Sequence, residues 1–160
     1  MHEIKRQLAM VTGAAGTLGQ AITRQLVADG HRVIATDLRA EMMDSLVADT
    51  GGHVVAVGID VSDAEAVEAV YKDLLVREGP VSILVNNAGI LSNNKAVETT
   101  PEEWRRVMSV NLDGAFYLSR QVLGGMKDNG WGRIVNICSL GIKTGGLTAG
   151  TAYAASKGGL

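Results

Sequence analysis

Short apolar runs alternate along this chain with longer segments of helical period, and the runs are apolar at consecutive positions. "LAMVT" (8–12), "RVIAT" (32–36), "HVVAVGID" (53–60), "SILVN" (82–86) and "GRIVNICS" (132–139) are the five. A strand with one wet face alternates apolar and polar residues, whereas a run apolar throughout is buried on both faces, as in a parallel sheet covered by helices. The pattern predicts an α/β, doubly wound parallel sheet of five strands. The 160 residues suffice for one domain with its own core, so the chain reads as a single domain over 1–160.

The intervening segments carry helix signals. "TLGQAITRQLVADG" puts Leu18, Ala21, Ile22 and Leu26 on one face and ends on Gly30, placed to terminate the helix. "RAEMMDSLVAD" is a second helical stretch. Ser62 and Glu65 have the spacing of a capping box ahead of "AEAVEAVYKDLLVREG". Thr100, Pro101 and Glu103 suit the N-cap, N1 and N3 positions of a helical stretch that runs to Gly130.

Composition excludes several function classes. The net charge is −2 with scattered basic residues, which is no footprint for nucleic acid. No apolar run approaches the roughly 18 residues a membrane span needs, and "LAMV" is too short for a signal-peptide core. One cysteine, Cys138, forms no internal disulfide, and with three scattered histidines it suggests no metal site. A cytoplasmic location is the default expectation, and Cys138 reads most simply as a small buried strand residue.

The 20 glycines fall between the apolar runs, where turns belong. "VTGAAGTLGQ" places Gly13, Gly16 and Gly19 between the first strand and first helix. Glycine at that junction permits a sharp turn and lets a pyrophosphate approach the helix N-terminus. Asp37 ends the second strand, near the offset of about 20 residues expected of an acid that binds the adenosine ribose. The alternative role for Asp37 is a helix cap for "LRAEMM". As a ribose acid it would repel a 2′-phosphate and favour NAD over NADP, while Arg39 is a cation that would pair with such a phosphate.

Four further segments follow the glycine turn in order: Asp60–Val61, "NNAG" (86–89), "VNLDG" around Asn111, and Ser139 ahead of "YAASK". Together they resemble the short-chain dehydrogenase/reductase family, over essentially the whole chain. The resemblance implies a Rossmann-like fold and a nicotinamide cofactor held by Thr12, Gly13, Gly16, Thr17, Leu18, Gly19, Asp37, Leu38, Asp60, Val61, Asn87, Ala88 and Gly89. It also implies a catalytic tetrad of Asn111, Ser139, Tyr153 and Lys157, the last two also touching the cofactor, with Asn111 holding a water that links Lys157 to solvent. Two features depart from the family's commonest pattern. Thr17 stands where the second glycine of the turn is usual, with Gly16 just before it, and the loop from Ser139 to Tyr153 is one residue longer.

Hydride exchange between an alcohol and nicotinamide needs a proton donor and acceptor at the oxygen. A free phenol titrates near about 10, too high for this work at neutral pH. An ammonium one helical turn away favours the phenolate, which is what the Tyr153–Lys157 spacing offers. Taken singly, Tyr-x-x-x-Lys is a common surface pair and a serine at a strand end a common turn former; their joint occurrence carries the functional reading. The resemblance implies oxidation of a secondary alcohol or reduction of a ketone, NAD being the expected cofactor and a small alcohol or carbonyl compound the substrate. Lys143, the lone charge in "LGIKTGGLTAGTA" (140–152), is a candidate to meet an anionic group. A 3-oxoacyl-[acyl-carrier-protein] reductase is an alternative activity. Family proteins continue beyond the Tyr/Lys helix, so the domain is expected to be incomplete at its C-terminal end. Strand five is then an exposed edge, the chain alone binds NAD without turnover, and the longer form is a homo-oligomer.

Overall fold

β1 (Leu8–Thr12) is the central strand of a five-stranded sheet in the order β3-β2-β1-β4-β5, all pairs parallel. Its neighbours are β2 (Arg32–Asp37) and β4 (Ile83–Asn86), with β3 (Val54–Gly58) and β5 (Arg133–Asn136) outside them. The computed structural model describes residues 6–143, 147 and 149–160. The first five residues, and Thr144–Gly146 and Thr148 of the loop before "YAASK", lie outside the described residues.

Consecutive apolar residues in the strands feed two cores. Met10, Ile34 and Leu84 point to one face of the sheet and pack with Val67, Tyr71, Leu74, Leu118, Val122 and Met126. Ala9, Val11, Val33, Ala35 and Val85 point to the other and pack with Met43, Leu46, Ile22 and Leu26. Helices α1 (Thr17–Ala28) and α2 (Asp44–Asp49) cover the second face, and α3 (Ala64–Glu78) and α5 (Gly114–Asp128) the first. This is the doubly wound α/β arrangement that the apolar runs predict. After β3 the chain returns to the opposite side of β1, so a crevice opens above the C-terminal ends of β1 and β4, the usual ligand position in such sheets.

Several local expectations are corrected. Asp63, not Ser62, caps α3: its Oδ1 accepts from Glu65 N and Ala66 N, both at 3.0 Å. The Ser62 hydroxyl instead donates to Asp60 Oδ1 at 2.6 Å, because the chain is still turning there. The second helical stretch is a 3₁₀ turn (Ala40–Met43) followed by α2. The stretch from Thr100 is α4 (Pro101–Met108), a π-helical turn (Ser109–Asp113) and then α5. Strand five is shorter than 132–139, and Cys138 lies exposed beyond it rather than buried within it. β5 pairs only with β4 among the described residues. Of its side chains Ile134 reaches the core while Arg133, Val135 and Asn136 are exposed, so its outer surface is mixed rather than apolar. No helix among the described residues is long and apolar enough to cross a membrane, and no group of His, Cys, Asp or Glu there is placed to hold a metal.

Candidate active site

The turn after β1 is shaped by two glycines with different demands. Gly13 has φ +62°, a conformation that favours glycine. A Cβ on Gly19 would overlap the Gly13 carbonyl oxygen and come within 2.7 Å of Ala14 Cα, so α1 could not close against the turn. Gly16 differs from both. Its φ of −72° suits any residue, and among the described residues a Cβ there would meet only Gly13 O, at 3.5 Å. Neither backbone strain nor packing calls for glycine at 16, and the space beside it is the crevice itself. Gly16 is also the N-cap of α1 and provides no side-chain cap, so the amide donors of the helix's first turn face that space.

Thr12, at the end of β1, ties this turn to the loop after β4. Its Oγ1 accepts from Asn87 N (3.0 Å) and Ala88 N (2.8 Å), and Asn87 Nδ2 donates back to Thr12 O (2.9 Å) and Gly13 O (3.1 Å). Asp37 is joined to the same turn, accepting from Ala15 N at 3.0 Å and from Leu38 N at 2.9 Å. It does not cap the helix that follows, whose N-cap is Arg39 with no side-chain bond. The walls enclose a cleft of about 640 Å³. Gly13, Gly16, Thr17, Leu18, Gly19, Asp37, Leu38, Asp60, Val61, Asn87, Ala88 and Gly89, all singled out in the sequence, line it together; Thr12 sits just beneath. Its volume, glycine floor and acidic wall suit the adenosine and pyrophosphate part of a dinucleotide.

Tyr153 and Lys157 lie on α6 (Thr151–Gly159), Tyr153 half-buried and Lys157 only 4% exposed. Lys157 Nζ donates to Ile137 O at 2.8 Å, tying α6 to the segment just beyond β5. It also stands beside Gly89, where an added Cβ would lie 3.3 Å from both Nζ and Asn111 Oδ1. The π-helical turn directs Asn111 inward, 1% exposed; such turns often occur at functional sites. Its side chain accepts from Ile90 N (2.8 Å) and donates to Ile90 O (3.0 Å) and Ser156 Oγ (3.0 Å). Asn111 thus clamps the loop after β4 to α6, a direct contact that the expectation of a held water did not include. Ser139 Oγ accepts from Gly141 N at 3.1 Å, which orients the hydroxyl and leaves its hydrogen to donate. Ser139, Tyr153 and Lys157 do not line the cleft. Lys143 is exposed at the end of a 3₁₀ turn (Leu140–Ile142) and does not line it either.

Residues 7–160 match the short chain dehydrogenase family profile. The chain belongs to the short-chain dehydrogenase family. It is 40% identical over 154 residues to 2-dehydro-3-deoxy-L-rhamnonate dehydrogenase (NAD(+)) of Sphingomonas sp. (strain SKA58), covering 95% of this chain and 61% of that protein. It is 41% identical over 152 residues to galactitol 2-dehydrogenase (L-tagatose-forming) of Cereibacter sphaeroides, covering 94% and 59%. Among solved structures, a variant of actinorhodin polyketide ketoreductase with NADPH superposes with a TM-score of 0.89 at 37% identity, covering 96% of this chain and 60% of that one. The chain therefore spans about three-fifths of the length of these relatives.

Two residues of this family member escaped the sequence reading. Arg106, on α4, lines the cleft beside Val110 and Ser62; in sequence it is one of an ordinary basic pair on a helix surface. Ser156, fully buried, receives the Asn111 amide and donates to Tyr153 O at 2.8 Å. Its position between Tyr153 and Lys157 was the available signal.

Burial pushes the Lys157 ammonium below its usual range, with a charge interaction with Cys138 acting the other way. Between that lowered value and the ordinary lysine value near 10.5 the unfolded chain binds more protons. Stability should therefore rise with pH across this window, the desolvation cost being full below it and gone above it. Lys157→Met should flatten the rise when urea unfolding is followed from pH 7 to 10.5; an identical slope would show that Lys157 is not its source. For the turn, Gly16→Ala should keep the wild-type melting temperature while weakening dinucleotide binding at least tenfold by calorimetric titration. Gly19→Ala should instead lose roughly 1–3 kcal/mol of stability by overpacking against backbone.

Proposed function

We propose that this chain provides the dinucleotide site and the proton-transfer residues of an NAD-dependent oxidoreductase that interconverts a secondary alcohol and a ketone. The observation that carries the reading is the single cleft shared by the glycine turn, Asp37, Asp60–Val61 and Asn87–Gly89, with Lys157 Nζ and Asn111 converging behind Gly89. The bound nicotinamide would supply the hydride acceptor or donor. The first-turn amides of α1 and the open face of Gly16 receive the pyrophosphate, and Asp37 receives the adenosine ribose. Tyr153 takes or gives the proton at the substrate oxygen. Ser139 donates a hydrogen bond to that oxygen and keeps it aligned with the phenol. Lys157, one helical turn from Tyr153 and behind Gly89, would hold the nicotinamide ribose, and Asn111 holds Lys157's helix against the loop after β4.

NAD is favoured over NADP by the Asp37 carboxylate in the cleft wall. A 2′-phosphate about 5 Å from it would meet repulsion of about 3 kcal/mol per charge pair at an effective dielectric near 20. The two named relatives, a 2-dehydro-3-deoxy-L-rhamnonate dehydrogenase (NAD(+)) and a galactitol 2-dehydrogenase, support a polyol or sugar-derived hydroxy acid as substrate.

A second reading has an observation in its favour. The cleft stops short of Ser139 and Tyr153 among the described residues, which suits a unit that binds dinucleotide without turning substrate over. Calorimetric NAD titration run beside NAD-linked oxidation of a polyol panel separates the two readings: binding with no alcohol-dependent NADH formation supports the second. In a protein that turns over, Tyr153→Phe should lower kcat by about 10²–10⁴-fold with NAD affinity unchanged. Undiminished turnover would remove Tyr153 from the mechanism. Asp37→Asn keeps an acceptor for Ala15 N while removing the charge, and should narrow the NAD-to-NADP affinity ratio by about tenfold or more. An unchanged ratio would show that Asp37 does not discriminate the two.

A further inference from the structure

The N-cap of α6, Gly150, makes no side-chain cap bond. The direction of α6 at its start is therefore set by whatever holds its first backbone amides. Its first amides are held by the loop after β4. Gly150 N donates to Ser92 O at 2.7 Å and Thr151 N to Asn94 O at 2.9 Å. The fit is tight: a Cβ on Gly150 would lie 2.6 Å from Ser92 O and 2.7 Å from Asn94 O, so the joint accepts only glycine there. Lys95 Nζ adds bonds to Ala149 O (2.8 Å) and Leu147 O (3.2 Å), on the chain leading into the helix.

The loop carbonyls are in turn aimed by one carboxylate on a different helix. Glu103, at the third position of α4, is anchored by its N–H to Thr100 Oγ1 at 3.1 Å. Its side chain does not turn back to the Thr100 amide as a capping box would. Oε1 accepts from the Ser92 hydroxyl and Oε2 from Asn94 Nδ2 at 2.7 Å. Both oxygens are thus spent on the two residues whose carbonyls hold α6, and Ser92 is only 6% exposed. Hydrogen bonds to a carboxylate are stronger and shorter than neutral ones, which suits a joint that must set an angle.

We propose that Glu103 is a positioning residue for Tyr153, acting through Ser92 and Asn94 on the Gly150 and Thr151 amides. Tyr153 is the third residue of α6, one turn from this joint, so a tilt of the helix start displaces its phenol first. Lys157 lies farther along and is held separately by Ile137 O, and Asn111 grips the middle through Ser156. The inference rests on the reading of Tyr153 as the proton donor; Glu103 itself touches neither the cleft nor the reacting atoms.

The test uses NMR on the 160-residue chain labelled with ¹³C-tyrosine, which carries only Tyr71, Tyr117 and Tyr153. Glu103→Ala should speed amide exchange at Gly150 and Thr151 tenfold or more. It should also shift or broaden the Tyr153 ring resonance, leaving Tyr71, Tyr117, the β1 amides and NAD affinity as in wild type. Glu103→Gln, which retains one acceptor and a group to which the Ser92 hydroxyl can adapt, should restore most of both signals. Unchanged exchange at Gly150 and Thr151, or an unmoved Tyr153 resonance, would overturn the proposal. So would uniform acceleration across α4 and the sheet, which marks general destabilisation. If the Tyr153 signal moves as expected and Tyr153→Phe nevertheless leaves alcohol turnover intact, the proton-donor reading fails while the joint stands.

Discussion

The hydroxyl of Thr12 sits where the central strand ends, and the cleft depends on what it joins. It accepts two amides from the loop after β4 and donates to Val85 O at 3.4 Å, while Asn87 returns two bonds to the carbonyls of Thr12 and Gly13. Thr12 is 1% exposed, so its hydroxyl is shielded from water, and leaving such a polar group unpaired is costly. The glycine turn and the NNAG loop are 75 residues apart in sequence at this contact. Held as one piece, they form the floor and one wall of a single cleft.

The two halves of the candidate site are held by different physics. The proposed cofactor side rides on strands whose register is set by parallel pairing and by apolar burial on both faces, and the Thr12, Asn87 and Asp37 side chains tie together the loops at the strand ends. The proposed proton-transfer side rides on α6, which attaches through discrete polar contacts along its length: the Ser92 and Asn94 carbonyls, the Asn111–Ser156 pair, and the Lys157–Ile137 bond. Polar joints fix direction more sharply than apolar packing, because a hydrogen bond weakens steeply with angle. That suits a phenol that must meet a particular oxygen, whereas the cleft need only present a shaped surface.

Much of the fold was legible because its signals are local. Unbroken apolar runs marked both-face burial, and the strand cores fell within them. Element ends were less legible. Asp63 and Ser62 are both good caps in sequence, and the choice went to Asp63 because Asp60 engages Ser62 across the turn. The π-helical turn around Asn111 left no trace in composition. Cys138 looked like the end of a strand, but pairing with β4 stops at Asn136. The residues that line the cleft were readable as motifs with known spacing. Arg106, Ser156 and the Glu103–Ser92–Asn94 cluster were not, since each owes its place to a contact between elements that the chain order does not reveal.

By itself the sequence determined the layered α/β architecture, the position of the glycine turn and the family, because strand burial and turn chemistry are written in neighbouring residues. Only the tertiary structure decided that Gly16 is open to the cleft while Gly19 is needed for packing, although the two look alike in the string. It also decided that Asp37 faces the turn rather than capping a helix, and that Tyr153 hangs from a joint aimed by Glu103. The Asp37–Ala15 and Glu103–Asn94 contacts join residues 22 and 9 apart in sequence. They arise when separate strand and helix ends meet at one edge of the sheet, and no local preference encodes them.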